Sequence, residues 1–154
     1  MTASETPVIR FPLATSELSE WIPHRQPMVW VDEVSWVTSD EGECIAEVKK
    51  TAHYMSTQGL RQSTLLEWMA QSFAFVSVSQ ALSGFVPMEE MPEKAYLVAV
   101  RGLKFPATLP KSGEKVKIWV GKPRCLGPLS LFEAKISNSA GVVVTQAQLK
   151  VYVE

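Results

Sequence analysis

Two side chains in this sequence have the chemistry to move protons: Glu67, and His53, which stands fourteen positions before it. Glu67 lies within Ser63–Leu82, where Leu65, Leu66, Trp68, Met69, Ala70, Phe73, Ala74, Phe75, Val76 and Val78 place apolar groups on nearly every side of a helix. A helix apolar on most faces is normally buried. A carboxylate held there must be paired, protonated or used, because an unpaired charge is costly to take out of water. An imidazole titrates near neutrality, so a buried acid and a nearby histidine form a candidate acid/base pair. Burial alone should raise the Glu67 pKa and let it hold a proton. Pairing with Arg61 or a buried arginine would instead make Glu67 structural.

The elements that hold this pair follow from the surrounding pattern. Ser63 is a candidate N-cap for the long helix, with Gln62 or Arg61 as alternative boundaries. Before it, Met28–Ser39 is rich in Val and Trp and reads as a strand, Asp40-Glu41-Gly42 supplies a turn, and Glu43–Thr51 reads as its hairpin partner. The loop Ala52–Gln62 carries His53. After the helix, Gly84, Pro87 and Pro92 break the chain. Strands are then predicted at Tyr96–Phe105, Lys115–Arg124, Leu129–Asn138 and Val142–Val153, the last two joined by a hairpin at Asn138–Gly141. Ser16–Trp21 predicts one short helical turn capped by Ser16, with Pro23–Pro27 as a stiff extended connector. Residues 1–15 read as a flexible N-terminal arm and 16–154 as one domain. The class is α+β, with an antiparallel sheet wrapped around the helix to bury it.

Composition narrows the function. The chain is 46% hydrophobic and 20% charged, a globular balance, and its formal net charge of −1 gives no global reason to expect nucleic-acid binding. Cys44 and Cys125 are isolated, and no His or Cys stands at metal-ligand spacing. That pattern suits a reducing compartment and predicts no metal site. Neither a signal peptide nor a membrane span is expected, so a cytoplasmic location is predicted.

Three stretches carry a family likeness. They are Ile22-Pro23-His24-Arg25-Gln26-Pro27-Met28 with Val31-Asp32-Glu33-Val34, then Leu66-Glu67-Trp68-Met69-Ala70-Gln71, then Val100–Glu114 with Arg101, Lys104, Pro106 and Pro110. Together they resemble the hotdog-fold 3-hydroxyacyl-acyl carrier protein dehydratases, and the overall pattern looks most like the dehydratase-like proteins of aryl polyene clusters. The resemblance implies a hotdog fold and no cofactor. It also implies an acyl carrier protein as partner, and a homodimer or mixed dimer, with higher oligomers open, in which His and acid reach one site from opposite protomers. It assigns catalysis to His53 and Glu67, which match the family spacing. Two segments depart from the family: Tyr54-Met55-Ser56 replaces Phe-Pro-Gly after the histidine, and Arg61-Gln62-Ser63 replaces Pro-Gly-Val before the helix.

The implied reaction removes a proton from C2 of a 3-hydroxyacyl thioester and expels hydroxide from C3. Neutral His53 would take the C2 proton and Glu67 would protonate the leaving hydroxyl. Charge on the thioester oxygen would rest at the helix N-terminus, near Gln62, Ser63 and Thr64. Gln71, one turn past Glu67, either holds that carboxylate and the substrate or satisfies a strand carbonyl. His24, between prolines, is expected to be structural. Arg25, Arg101, Lys104, Lys122 and Arg124 form a basic mouth for the carrier or are simply solvated. Two competing readings remain: a hotdog thioesterase using Glu67 to activate water, and a non-catalytic partner subunit of an active dehydratase.

Overall fold

The computed structural model describes residues 9–154. Its helix α1 spans Ser63–Leu82, as the apolar run predicts. The strands are β1 Leu13–Ala14, β2 Glu33–Val37, β3 Glu41–Glu47, β4 Met55–Ser56, β5 Gly59–Leu60, β6 Ala95–Arg101, β7 Lys115–Leu126, β8 Leu129–Ser137 and β9 Val143–Val153. Seven of them form one antiparallel sheet in the order β1-β2-β3-β7-β8-β9-β6, and β4 pairs with β5 in a separate hairpin. The helix packs against β2, β3, β7 and β8.

Alternation along the strands explains which face is covered. In β8, Ser130, Phe132, Ala134 and Ile136 point inward and are buried, while Leu129, Leu131, Glu133 and Lys135 point away. The helix answers with Leu65, Trp68, Met69, Phe75, Val76 and Val78, and Phe73 stacks on Phe132 at 4.2 Å between ring centroids. Gly42 sits inside β3 and is not part of the turn expected at Asp40–Gly42. A Cβ there would stand 2.7 Å from a Val76 methyl, so glycine lets helix and strand approach. The turn itself is Thr38–Glu41, held by the Thr38 N–H donating to the Glu41 carbonyl at 2.8 Å, with Thr38 Oγ1 accepting from Asp40 and Glu41.

Other local expectations shift. Ser63 is the first helical residue and not the cap. Gln62 precedes it in helical geometry, and neither side chain caps the helix. The first helical turn is a 3-10 turn at Thr15–Leu18, preceded by Ala14 rather than capped by Ser16. Arm residues 1–8 lie outside the described residues. Leu13 and Ala14, expected in that arm, instead pair with Val34 and Glu33. Thr15 then donates its hydroxyl to the Val31 carbonyl at 2.7 Å, fixing the chain there. The connector is not extended throughout, since the Met28 N–H donates back to the Arg25 carbonyl at 2.9 Å and closes a turn.

Among the described residues, one edge of the sheet is the two-residue β1 and the other is β6, bonded only to β9. All of β6 is exposed, including Tyr96, Leu97, Val98 and Val100. Among the described residues, no helix is long and apolar enough to cross a membrane.

Candidate active site

Glu67 lies in the second turn of α1, on the side facing the connector that leads into β2. Its side chain is 39% exposed, so one end of the carboxylate reaches the surface while its stem packs into the core. Oε1 accepts an N–H from Gln71 at 3.0 Å, and the His24 ring places Nε2 at 3.6 Å from the same oxygen. The second distance exceeds a hydrogen bond and is an electrostatic contact.

These neighbours decide the charge. The His24 ring is the strongest influence and pulls the Glu67 pKa below the ordinary carboxylate range, with help from the Gln71 amide, while burial pushes the other way. Burial acts in the expected direction but is outweighed, so the net rise expected for this pKa is overturned for the single chain. Its imidazole is His24, which the sequence reading took as structural, and the carboxylate is only half-buried.

Gln71 is buried, at 2% exposure, and its amide is engaged on both ends. Nε2 donates to Glu67 and to the Met28 carbonyl at 2.8 Å, and Oε1 accepts the Trp30 N–H at 2.9 Å. Of the two alternatives weighed for Gln71, the hydrogen bond to the acid is present, and the carbonyl it satisfies is that of Met28 in the lead-in to β2 rather than one within a strand. Trp68 adds a second stitch, donating its indole N–H to the Trp30 carbonyl at 3.1 Å.

His53 stands elsewhere on the surface. The Met55 N–H donates to the Ala52 carbonyl at 3.0 Å, so His53 and Tyr54 are the middle residues of a tight turn. Tyr54 turns inward between Trp30 and Trp68, with ring centroids 5.1 and 5.8 Å away in edge-on packing. Its hydroxyl donates to the Glu47 carbonyl and accepts the Lys49 N–H. Asp32 accepts from the Glu47 N–H at 2.7 Å and from the Lys49 ammonium, tying the end of β3 to β2. With Tyr54 locked in, His53 is left exposed. Within one chain, then, Glu67 is joined to His24 and Gln71, and His53 is not among its partners.

At the helix N-terminus the Thr64 N–H already donates to the Arg61 carbonyl at 3.0 Å and that of Leu65 to Gln62 at 3.1 Å. The expected donor set Gln62–Thr64 contracts to the N–H groups of Gln62 and Ser63, whose side chains are exposed. A shallow cavity of about 610 Å³ lies beside this end, lined by Lys50, Thr51, Ala52, Met55, Ser56, Thr57 and Arg61. Cys44 is buried against the Ser72 carbonyl, and burial pushes its thiol up to about 12, so it is chemically inert. Among the described residues, no three His, Cys, Asp or Glu side chains gather into a metal-binding group.

The sheet-wrapped helix is an architecture shared with known proteins. One chain of the dehydratase heterocomplex ApeI:P from Xenorhabdus doucetiae superposes with a TM-score of 0.77 at 20% identity, over 95% of this chain and 93% of that one. The smu.793 protein from Streptococcus mutans, bound to acetyl CoA, gives 0.63 at 12% identity, over 86% and 95%. The Escherichia coli PaaI protein of the phenylacetic acid degradation operon gives 0.54 at 15%, over 77% and 80%. At these identities the likeness speaks for the fold, which is the hotdog fold expected from the sequence. Comparison with curated protein sequences gives no match. The family model described as ApeP dehydratase matches residues 16–154, nearly the whole sheet-and-helix body, and the chain belongs to the ApeP-like dehydratase family.

Proposed function

We propose that this chain eliminates water from a 3-hydroxyacyl thioester carried on acyl carrier protein, giving a 2-enoyl thioester, as one member of a dimer that assembles in the cytoplasm. The observation that carries the reading is Glu67: a carboxylate near the start of the enclosed helix, anchored through one oxygen and open to the surface through the other. Family membership supports dehydration as the reaction class. The heterocomplex formed by the structural neighbour supports a related but different chain as partner.

The chain alone offers an acid without the imidazole that the reaction needs on the opposite side of the substrate. His53, exposed on its turn, is suited to serve a partner's acid, and a partner's histidine to serve Glu67. The free edge of β6, apolar on both faces, is the surface suited to joining two sheets. Covering Glu67 itself with substrate and partner would remove water from it, and desolvation raises its hold on a proton. The imidazole then takes the C2 proton, the C2–H electrons form the double bond, the C3–O bond breaks, and Glu67 protonates the departing hydroxide. Gln62 and Ser63 N–H groups face the thioester oxygen as negative charge grows there.

The ionised state of Glu67 in the single chain favours one second reading, a thioesterase in which the carboxylate activates water. Mass spectrometry of a carrier-bound 3-hydroxyacyl substrate separates the two, since dehydration leaves a 2-enoyl carrier and hydrolysis leaves a free thiol. The assay is run with and without a related dehydratase chain. Glu67→Gln is expected to lower dehydration by about 10²–10⁴-fold. Enoyl product at full rate from Glu67→Gln and His53→Ala chains would leave this chain as a non-catalytic partner.

A further inference from the structure

His24 stands on the connector before β2, and its ring has two unequal edges. Nδ1 is enclosed and has no hydrogen-bond partner among the described residues. Nε2 faces Glu67 Oε1 at 3.6 Å. Gln71 holds the same oxygen at 3.0 Å, while Oε2 has no protein partner among the described residues. The connector cannot drift from the helix, because Gln71 and Trp68 bind the Met28 and Trp30 backbone across the gap. Among the described residues the groups that act on Glu67 are His24 and Gln71, and the Arg25 guanidinium turns instead to the carbonyls of Ile22 and His24.

We infer that His24 is a positioning residue for Glu67: it anchors Oε1 so that Oε2 faces the substrate, and it stabilises the carboxylate left when Glu67 gives its proton to the departing hydroxide. The inference rests on the acid role proposed above. A glutamic acid covered by substrate and partner would hold its proton too tightly to release it. An imidazole edge set against the conjugate base offsets that burial electrostatically and keeps the acid useful near neutral pH.

Carbon-13 labelling of the glutamate carboxyls in the full-length chain lets the Glu67 titration be followed by NMR without turnover. The wild-type midpoint is expected below the ordinary glutamate value of about 4.3. In His24→Phe, and in His24→Asn, whose amide is too short to reach, it is expected to rise to that value or above. His24→Gln, long enough to supply an N–H, is expected to rise less. In the assembled enzyme, His24→Phe should move the limb of the pH profile set by Glu67 upward and lower kcat by about 10–100-fold, with a smaller change in KM. An unchanged Glu67 midpoint in folded His24→Phe or His24→Asn overturns the inference. A shifted midpoint in a chain that dehydrates nothing with any partner supports the positioning and removes the reaction assignment instead.

Discussion

Gln71 donates to Glu67 across one helical turn at 3.0 Å while its carbonyl oxygen takes the Trp30 N–H at 2.9 Å, so one buried amide joins the candidate acid to the connector that leads into β2. Replacing it by leucine preserves bulk but leaves the Trp30 N–H and Met28 carbonyl without partners. Gln71→Leu is expected to cost about 2–4 kcal/mol of stability, read from denaturant unfolding. A loss below about 0.5 kcal/mol would mean that the amide does not hold the connector.

The lowered pKa of Glu67 has a defined sign in stability. A carboxyl with a folded value below its unfolded value stabilises the fold above the unfolded pKa, about 4.3, and loses that contribution as pH falls through the folded value. Because the side chain is 39% exposed, water screens the effect, and Glu67→Gln is expected to cost no more than about 1 kcal/mol at neutral pH. Unfolding curves of the variant and wild type should converge as pH falls below the ordinary glutamate value of about 4.3 and through the lower folded value. A gap that widens there would reverse the sign.

Gly42 of β3 lies directly against Val76 of α1. A Cβ at Gly42 would meet Val76 at 2.7 Å, so Gly42→Ala is expected to destabilise by about 1–3 kcal/mol. In a Val76→Ala background the same change should cost much less, because the opposing methyls are gone. Additive losses in the double-mutant cycle would show that the crossing is not limited by this contact.

Charges on β6 test the proposed edge. Val98→Lys together with Val100→Lys places two ammonium groups on exposed apolar positions of the strand that pairs only with β9. Association measured by sedimentation is expected to weaken at least about tenfold, equivalent to roughly 1.4 kcal/mol. Circular dichroism should stay unchanged. Undiminished association would place the contact elsewhere.

The apolar run from Ser63 to Leu82 specified the helix by itself, since a segment greasy on most faces can only be enclosed, and the strands expected at Leu129–Asn138 and Val142–Val153 form within a residue of those bounds. Glu67 was legible for the same reason: a carboxylate in that setting must do something. What surrounds it was decided by tertiary structure. His24 and Glu67 are distant in sequence, and nothing in the Pro-His-Arg segment ties its imidazole to the acid until the fold brings it against α1. The direction of the Glu67 pKa likewise depends on that ring outweighing burial, a balance of distances that no pattern of residue types encodes. Gly42 makes the same point in packing: its sequence context spells a turn, but the approach of Val76 places it in a strand.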